Sequence, residues 1–324
     1  MIRQIFGFIA KFRDPFTYGT AVVVAAVLYL TASSLDRGQQ NDLTSLFLLM
    51  TLALAWNLVG GYGGQFSLGH SIFVGVGSYA TAVILTLLGW PLIPTMIIAA
   101  VMSALIGLLL AYPLLRLRGP YLAVGSLGMA VAAYGWMINW DFTKASQAYA
   151  MPKEAQVDFA TMYQFATVLL LIAIVSIVAL VRSPLGLRLV ALRDNELGAA
   201  SIGVKRVRTL LPVWALSGLL TGAMGAVYAV QQGTLTVDGT FNIQFSLDAA
   251  IICVIGGLGT LSGPFIGAII IYFLRKYSAE YQNYALLIEA VVLVIVVRFF
   301  PAGIVGLISK GFRAIVHRRA AAQK

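Results

Sequence analysis

Charged residues are scarce in this chain of 324 residues. Asp, Glu, Lys and Arg together make up only 10% of it, whereas 60% of the residues are aliphatic, aromatic, Met or Cys. An ordinary soluble domain carries about 25% charged residues. So few charges cannot cover the apolar surface of a soluble protein of this size, which excludes a soluble enzyme, a nucleic-acid-binding domain and a disordered chain. The composition predicts an integral membrane protein.

Residues that bind metals or form disulfides are equally few. The chain has one cysteine, Cys253, and two histidines, His70 and His317, which are far apart in sequence. A single cysteine excludes an intramolecular disulfide and a cysteine-based metal site, and two distant histidines make no metal cluster. The sequence also lacks the G-x-x-x-x-G-K-[ST] loop that cradles nucleotide phosphates. We therefore expect no metal and no cofactor in this chain.

Long apolar runs are abundant. A helix needs about 20 apolar residues to cross a bilayer, and the chain offers ten such segments. They are 17–35, 43–60, 68–88, 92–114, 121–140, 163–181, 209–230, 244–260, 263–279 and 284–300. Glycines and a proline within 256–264 favour a turn over one continuous helix through this region. The sequence therefore predicts an all-α integral membrane protein, a polytopic bundle of about ten transmembrane segments.

Basic residues favour one side of the predicted membrane. The loop 182–208 has a net charge of +4 and the tail from Arg298 onward holds six basic residues and no acid, whereas the loop 141–158 has a net charge of −1. The positive-inside rule then places three segments in the cytoplasm, namely the N-terminus 1–14, the loop 182–208 and the tail 301–324. An even number of crossings between that loop and that tail requires two helices in 244–279, although Arg275 and Lys276 then lie on the outer side.

The loop 182–208 contains a predicted short helix. Asp194 or Asn195 can cap its start, and Gly203 can supply a left-handed stop. Its apolar positions share one face: Leu197, Ala200 and Val204. Such a helix suits docking onto a partner protein, and a solvated connector helix fits the pattern equally well. No loop is long enough to hold a soluble domain, so residues 1–324 are predicted to form a single transmembrane domain.

Polar residues and closely spaced glycines lie at several predicted span ends. Gln65, Ser67 and His70 begin the third span, where they serve either as hydrogen-bond partners between helices or as the lining of a pathway. Three small-residue patterns allow helix backbones to approach closely. They are Gly60-x-x-x-Gly64, Gly218-x-x-x-Gly222 and Gly263-x-x-x-Gly267. The first and third adjoin breaks, where irregular backbone can also line a polar pathway.

Four ordered motifs resemble those of one protein family. They are Trp56-Asn57-Leu58-x-x-Gly61-Tyr62-x-Gly64-Gln65-x-Ser67-Leu68-Gly69-His70, then Leu117-Arg118-Gly119-Pro120-Tyr121, then Glu196-x-x-Ala199-x-x-x-Gly203, and finally Ile255-Gly256-Gly257-Leu258-Gly259-Thr260-x-x-Gly263-Pro264. Over roughly residues 43–308, they resemble the branched-chain amino acid permeases of ATP-binding cassette (ABC) importers, of the LivM type. The third motif is similar to the coupling loop of these permeases, whose short helix rests on the ATPase.

The resemblance implies a transport subunit in the bacterial inner membrane, surrounded by lipid. Its implied partners are a second permease chain forming a heterodimer, two ATP-binding subunits that hold the ATP, and a periplasmic solute-binding protein; no nucleic acid is involved. The implied coupling residues are Glu196, Leu197, Ala199, Ala200 and Gly203. Candidate pathway or helix-break positions are Gly64, Gln65, Ser67, Gly69, His70, Gly119, Pro120, Tyr121, Gly256, Gly257 and Gly259. Relatives carry branched-chain amino acids, urea or other small amides and acids, so the solute stays open.

A secondary carrier driven by an ion gradient is the alternative function. Such carriers usually need ionisable groups near the middle of the membrane. Glu289 is the one carboxylate well within a predicted span, and a glutamate facing the bundle or reaching the interface is its simpler explanation. An intramembrane enzyme would need a nucleophile and base, or metal ligands, at depth, and the sequence shows no such set. Transport that depends on a separate ATPase polypeptide distinguishes the first function from the second.

Overall fold

The computed structural model describes residues 35–141, 148–152 and 157–278, together with 291, 294, 298 and 303–306. The helices are α1 (Arg37–Asn57), α2 (His70–Val83), α3 (Leu92–Leu114), α4 (Pro120–Ile138), α5 (Phe159–Arg182), α6 (Pro184–Asp194), α7 (Glu196–Ser201), α8 (Arg206–Gln232), α9 (Val237–Thr240), α10 (Gln244–Gly256) and α11 (Ser262–Ser278). The π-helical turns Leu58–Tyr62 and Ile84–Leu88 extend α1 and α2. The predicted spans 17–35 and 284–300, the N-terminus 1–14, Glu289 and the basic tail lie wholly or mostly outside the described residues.

Seven helical stretches within the described ranges are long and apolar enough to cross a membrane. They are Arg37–Tyr62, His70–Leu88, Leu92–Leu114, Pro120–Ile138, Phe159–Arg182, Arg206–Gln232 and Val237–Gly256. These stretches match the predicted spans from 43–60 to 244–260 in order. Helix α11, which has 17 residues, lies where the span 263–279 was predicted. The protein is thus a helical, multi-pass membrane protein.

A small antiparallel strand pair is an addition to the all-α prediction. Strand β1 (Tyr149–Ala150) pairs with β2 (Thr234–Leu235). Strands of two residues carry no hydrophobic period, so the sequence pattern could not predict them. The pair brings the loop before α5 to the C-terminal end of α8, where Gln231 Nε2 donates to Ser45 Oγ of α1 at 3.0 Å. We call this end of the bundle the strand end.

Two ion pairs join α11 to other helices at the strand end. The Arg275 guanidinium donates to both carboxylate oxygens of Asp248 on α10, at 2.6 and 2.5 Å, and Lys276 pairs with Asp42 near the start of α1. The C-terminal end of α11 therefore lies beside the N-terminal ends of α10 and α1, so α10 and α11 are antiparallel. The two basic residues that departed from the positive-inside pattern are each neutralised by a carboxylate.

Helix α8 packs between α2 and α3 through small residues. A Cβ built on Gly222 would collide with the side chain of Ser103 on α3. A Cβ built on Gly77 of α2 would collide with the backbone carbonyl of Gly222. The predicted close approach at the Gly218-x-x-x-Gly222 pattern is therefore confirmed, because the three backbones meet where a larger residue would not fit.

We expect Gly222→Leu to destabilise this three-helix contact. Inserting side-chain volume into a tightly packed site typically costs about 1–3 kcal/mol, which should lower the thermal unfolding midpoint of a chain of this length by roughly 2–8 °C. Gly128→Leu on α4 is the matched control, since no described residue outside the adjoining backbone of α4 has a heavy atom within 4 Å of a Cβ built there. Unfolding of the detergent-purified variants followed by fluorescence gives the midpoints. Equal midpoints for the two variants would contradict the packing argument.

The predicted break between α10 and α11 is also confirmed. Helix α10 ends at Gly256 and α11 begins at Ser262. A Cβ on Gly256 would collide with the carbonyl of Gly263, and one on Gly267 would collide with the carbonyl of Ile252. The hairpin therefore depends on glycines both at its turn and along the face where its two helices meet.

Candidate functional site

The end of the bundle opposite the strands contains the motifs that the sequence singled out. It comprises the loop 63–69 after α1, the turn 115–119 after α3, the segment 183–205 around α6 and α7, and the turn 257–261 between α10 and α11. We call it the break end, because two of these four segments, 63–69 and 257–261, are glycine-containing breaks between consecutive helices. Residues more than 200 positions apart meet there: Gly259 N–H donates to Asn57 Oδ1 at 2.9 Å.

The short helix α7 has the cap and the stop that the sequence predicted. Asn195 Oδ1 accepts the backbone N–H of Gly198 at 2.9 Å, which satisfies one of the free donors at the start of the helix. Gly203 has φ +86°, and the adjoining Val204 N–H donates to the carbonyl of Ala199 at 3.0 Å. This left-handed residue ends α7 and turns the chain toward α8.

The exposed surface of α7 differs from the predicted one at two positions. Leu197 and Ile202 are 75% and 76% exposed, and Ala200 and Gly203 are also exposed. Ala199, which was predicted to face a partner, is only 3% exposed and packs in the core of this chain. Ile202 was not predicted, although an apolar residue directly before the glycine stop was a signal for it. The solvent-accessible apolar residues are therefore Leu197 and Ala200 of α7 and Ile202, which directly follows its last residue.

Glu196, the first residue of α7, lies between two arginines. Its Oε1 is 3.4 Å from Arg118 Nε and 3.5 Å from Arg206 Nε. Exposed ion pairs contribute little, typically below about 1 kcal/mol, and Arg118 is largely exposed. The Arg206 side chain is mostly buried, so the Glu196–Arg206 pair is the better shielded contact. A carboxylate at this position also interacts favourably with the N-terminal end of the helix.

Arg206 connects α7 to two other segments of the break end. Its guanidinium donates to the carbonyl of Leu115, to that of Leu117 at 2.9 Å, and to Gln65 Oε1 at 2.8 Å. The final carbonyls of a helix lack partners within the helix, so this guanidinium stabilises the C-terminal end of α3. The sequence singled out Gln65 as a candidate site residue but did not single out Arg206, because Arg206 was one of several basic residues in a positively charged loop.

Asn57 connects the end of α1 to the turn between α10 and α11. Its Oδ1 accepts the N–H of Gly259, and its Nδ2 donates to the carbonyl of Thr260 at 2.8 Å. Gly257 has φ +133° and Gly259 has φ +68°, and non-glycine residues rarely adopt such values. The turn is therefore a defined backbone structure that one side chain of a distant helix holds in place.

The polar residues at the start of α2 are buried in hydrogen bonds within the bundle. His70 has no exposed surface, and its Nε2 lies 2.9 Å from Ser217 Oγ of α8, which in turn donates to the carbonyl of Ala55 at 2.7 Å. Trp56 Nε1 donates to the carbonyl of Ser67 at 2.7 Å. The His70 side chain is therefore a hydrogen-bond partner between α2 and α8, whereas the Ser67 hydroxyl accepts the N–H of Gly69 within its own loop.

The remaining predicted positions mark helix starts and packing contacts. Gly69 and Gly119 directly precede α2 and α4, Pro120 is the first residue of α4, and the neighbouring Tyr121 is 75% exposed. Among the residues that the structure describes, no group of three or more His, Cys, Asp or Glu side chains could hold a metal ion. The site therefore consists of backbone turns, arginines and an exposed short helix.

A cavity of about 630 Å³ lies between α2, α3 and α4. Its lining is apolar and aromatic, including Val76, Met102, Ile106 and Trp136, and none of the lining residues carries a charge. A free amino acid would find no charged partner there for its ammonium and carboxylate groups, so this cavity does not suit a zwitterion.

Comparison with known proteins identifies the family. The family model described as "Branched-chain amino acid transport system / permease component" matches residues 40–297. The chain is 25% identical to "High-affinity branched-chain amino acid transport system permease protein LivM" of Escherichia coli (strain K12), over 92% of this chain and 77% of that protein. It is also 25% identical to the protein of the same name from Salmonella typhimurium (strain LT2), over 88% and 73% of the two chains.

A more distant relative supports the same assignment. The chain is 23% identical to "Probable branched-chain amino acid transport permease protein LivH" of Methanocaldococcus jannaschii, over 82% of this chain and 90% of that protein. No solved structure matches the chain significantly. Members of the family are transport subunits rather than enzymes, and in such systems separate subunits hydrolyse ATP. The chain therefore belongs to the branched-chain amino acid transport permease family, and it is a permease component of an ABC importer.

Proposed function

We propose that this chain, paired with a second and different permease chain, forms the path by which a branched-chain amino acid or a related small polar solute crosses the bacterial inner membrane. A periplasmic binding protein delivers the solute to the strand end, and two ATP-binding subunits dock at the break end. The names of the relatives support the substrate class. The related small polar solutes of this proposal include urea and other small amides or acids.

The observation that carries the proposal is the geometry of α7. A helix of six residues has its own cap and its own left-handed stop, yet it exposes Leu197 and Ile202 to the surroundings. Two large apolar side chains on so short a helix are costly to leave in water, and docking into a groove of an ATPase subunit removes that cost. Glu196 and Arg206 then connect the docked helix to α3 and α8.

The proposed orientation places the break end in the cytoplasm. The loop 182–208 has a net charge of +4, and the positive-inside rule assigns such loops to the cytoplasmic side. The strand end, with Ala148 in the loop before β1, then faces the periplasm.

Cysteine labelling tests this orientation. The native Cys253 is buried and is replaced by alanine for the experiment, while Ala148 and Ala200 are exposed. In intact cells stripped of their outer membrane, we expect an impermeant maleimide to label Ala148→Cys fully. Ala200→Cys should react only after the membrane is permeabilised. Labelling of both positions from one side would contradict the proposed orientation.

Reconstitution tests the transport function. The chain is purified with its ATP-binding subunits and its second permease chain and inserted into vesicles, and the binding protein is screened with leucine, isoleucine, valine, urea and acetamide. We expect uptake only when the solute-binding protein is present and the ATPase subunits can reach ATP. Uptake by this chain alone in response to an ion gradient would instead establish the secondary carrier.

A further inference from the structure

Arg193 lies between the two helix breaks at the break end. It occupies the last turn of α6, two residues before the Asn195 cap of α7. A Cβ built on Gly64 would lie 2.9 Å from its Cγ and 3.3 Å from its Cα, and a Cβ built on Gly259 would lie 2.8 Å from its Nη1. The stem of Arg193 therefore packs against the first break, and its guanidinium reaches the second.

The contacts at both breaks are close because both positions are glycines. Gly64 has φ +65° and Gly259 has φ +68°, so both adopt the left-handed conformation that glycine accepts without strain. Arg193 Nε also donates to Asp194 Oδ1 at 3.0 Å, which restricts the rotation of the guanidinium. The side chain keeps 34% of its surface exposed, so its position depends on these contacts at Gly64 and Gly259 rather than on burial.

Arg206 and Arg193 connect the region of α7 to different helices. Arg206 connects Glu196 of α7 to the end of α3. Arg193, in the last turn of α6, contacts the end of α1 at Gly64 and the turn between α10 and α11 at Gly259. Asn57 joins those two breaks to each other. A displacement of α7 can thus reach the membrane-spanning helices through two separate sets of contacts, one made by Arg206 and the other by Arg193.

We infer that Arg193 is a positioning residue for transport, which transmits movement of α7 into the breaks at Gly64 and Gly259 and so into α1, α10 and α11. The inference rests on the proposed function, since it assumes that an ATPase subunit moves α7. Arg193 does not contact the solute in this scheme. Its role is to couple α7 to the breaks at Gly64 and Gly259, so that α7 cannot move unless the two breaks move with it.

The test compares Arg193→Ala and Arg193→Lys with Arg188→Ala, a matched control because Arg188 is an exposed arginine of the same helix. Each variant is reconstituted with its ATPase subunits, second permease and binding protein. For Arg193→Ala we expect normal retention of the ATPase and normal basal ATP hydrolysis. Solute uptake per ATP hydrolysed should fall by about fivefold or more, the size of a typical coupling between sites.

The conservative variant separates transmission from folding. Lysine keeps the aliphatic stem that packs on Gly64 and loses the planar head at Gly259, so Arg193→Lys should give an uptake-to-hydrolysis ratio between those of the wild type and Arg193→Ala. An unchanged ratio in Arg193→Ala, or a loss of the ATPase from that variant, would overturn the inference. Uptake by the wild type without ATP would instead refute the proposed function, and thus the two failures are distinguishable.

Discussion

Gly203→Leu should reduce ATP-dependent uptake by about a hundredfold while leaving the protein inserted in the membrane. Two effects add at this position. Leucine at φ +86° is strained by about 1–2 kcal/mol, so the chain leaving α7 should abandon the left-handed turn. The new side chain also stands on the exposed surface beside Ile202, since among the described residues no heavy atom beyond the two chain neighbours lies within 4 Å of a Cβ at Gly203, and it would hold a docked subunit away.

Gly203→Asn separates the two effects. Asparagine tolerates the left-handed conformation better than other residues with a side chain, so the turn should persist and only the added side-chain volume should reduce uptake, by less than in Gly203→Leu. Gly203→Ala, which adds strain but little volume, should also reduce uptake by less than Gly203→Leu. Copurification of the ATPase subunits and uptake in vesicles are measured for all three variants. Normal uptake and full ATPase retention in Gly203→Leu would show that α7 is a passive connector.

Local features of the fold were predictable from the sequence because neighbouring residues determine them. The density of glycines in 256–264 was sufficient to predict the end of α10 and the start of α11. Asn195 and Gly203 likewise lie at the two ends of α7, where the capping preferences of these residue types placed them. Each of these features depends on the backbone conformation of a few consecutive residues.

Contacts between distant segments were not predictable in the same way. Arg206 binds the carbonyl of Leu117, 89 positions away, and Arg193 meets Gly64 and Gly259. Nothing in the local pattern distinguishes these two arginines from Arg188, another basic residue of the same loop. Only the arrangement of the helices decides that the Arg206 side chain is mostly buried, and that Arg193, with 34% of its side chain exposed, meets both glycine breaks.

The face of a short helix is also poorly determined by its sequence. The spacing of apolar and small residues in α7 did not show that Ala199 packs inward while Ile202 is exposed. A helix of six residues has fewer than two turns, so its hydrophobic period is barely sampled. Whether the candidate positions line a transport pathway stays a prediction. A test of that role must take into account that His70 and Ser67 are buried.

The double variant Gly257→Val with Gly259→Val should fold poorly and transport little. Both residues have positive φ values, +133° and +68°, and a β-branched residue in such a conformation is strained by roughly 1–3 kcal/mol. A Cβ on Gly259 would also press against Arg193 and the carbonyl of Gly61. The turn should therefore rearrange and lose the pair of hydrogen bonds to Asn57.

The expected combined loss is roughly 2–6 kcal/mol, which is a large part of the stability of an ordinary domain. Gly135→Val on α4 is the control, because Gly135 is helical and, apart from the adjoining backbone of α4, no heavy atom of the residues that the structure describes lies within 4 Å of a Cβ built there. Yield of the detergent-purified protein, its thermal unfolding midpoint and uptake in vesicles are the three measurements. Wild-type values in all three would mean that the turn at 257–261 adapts freely to side chains. The contact of Arg193 with this turn could then not transmit movement from α7, since a turn that yields to two valines would also yield to one arginine.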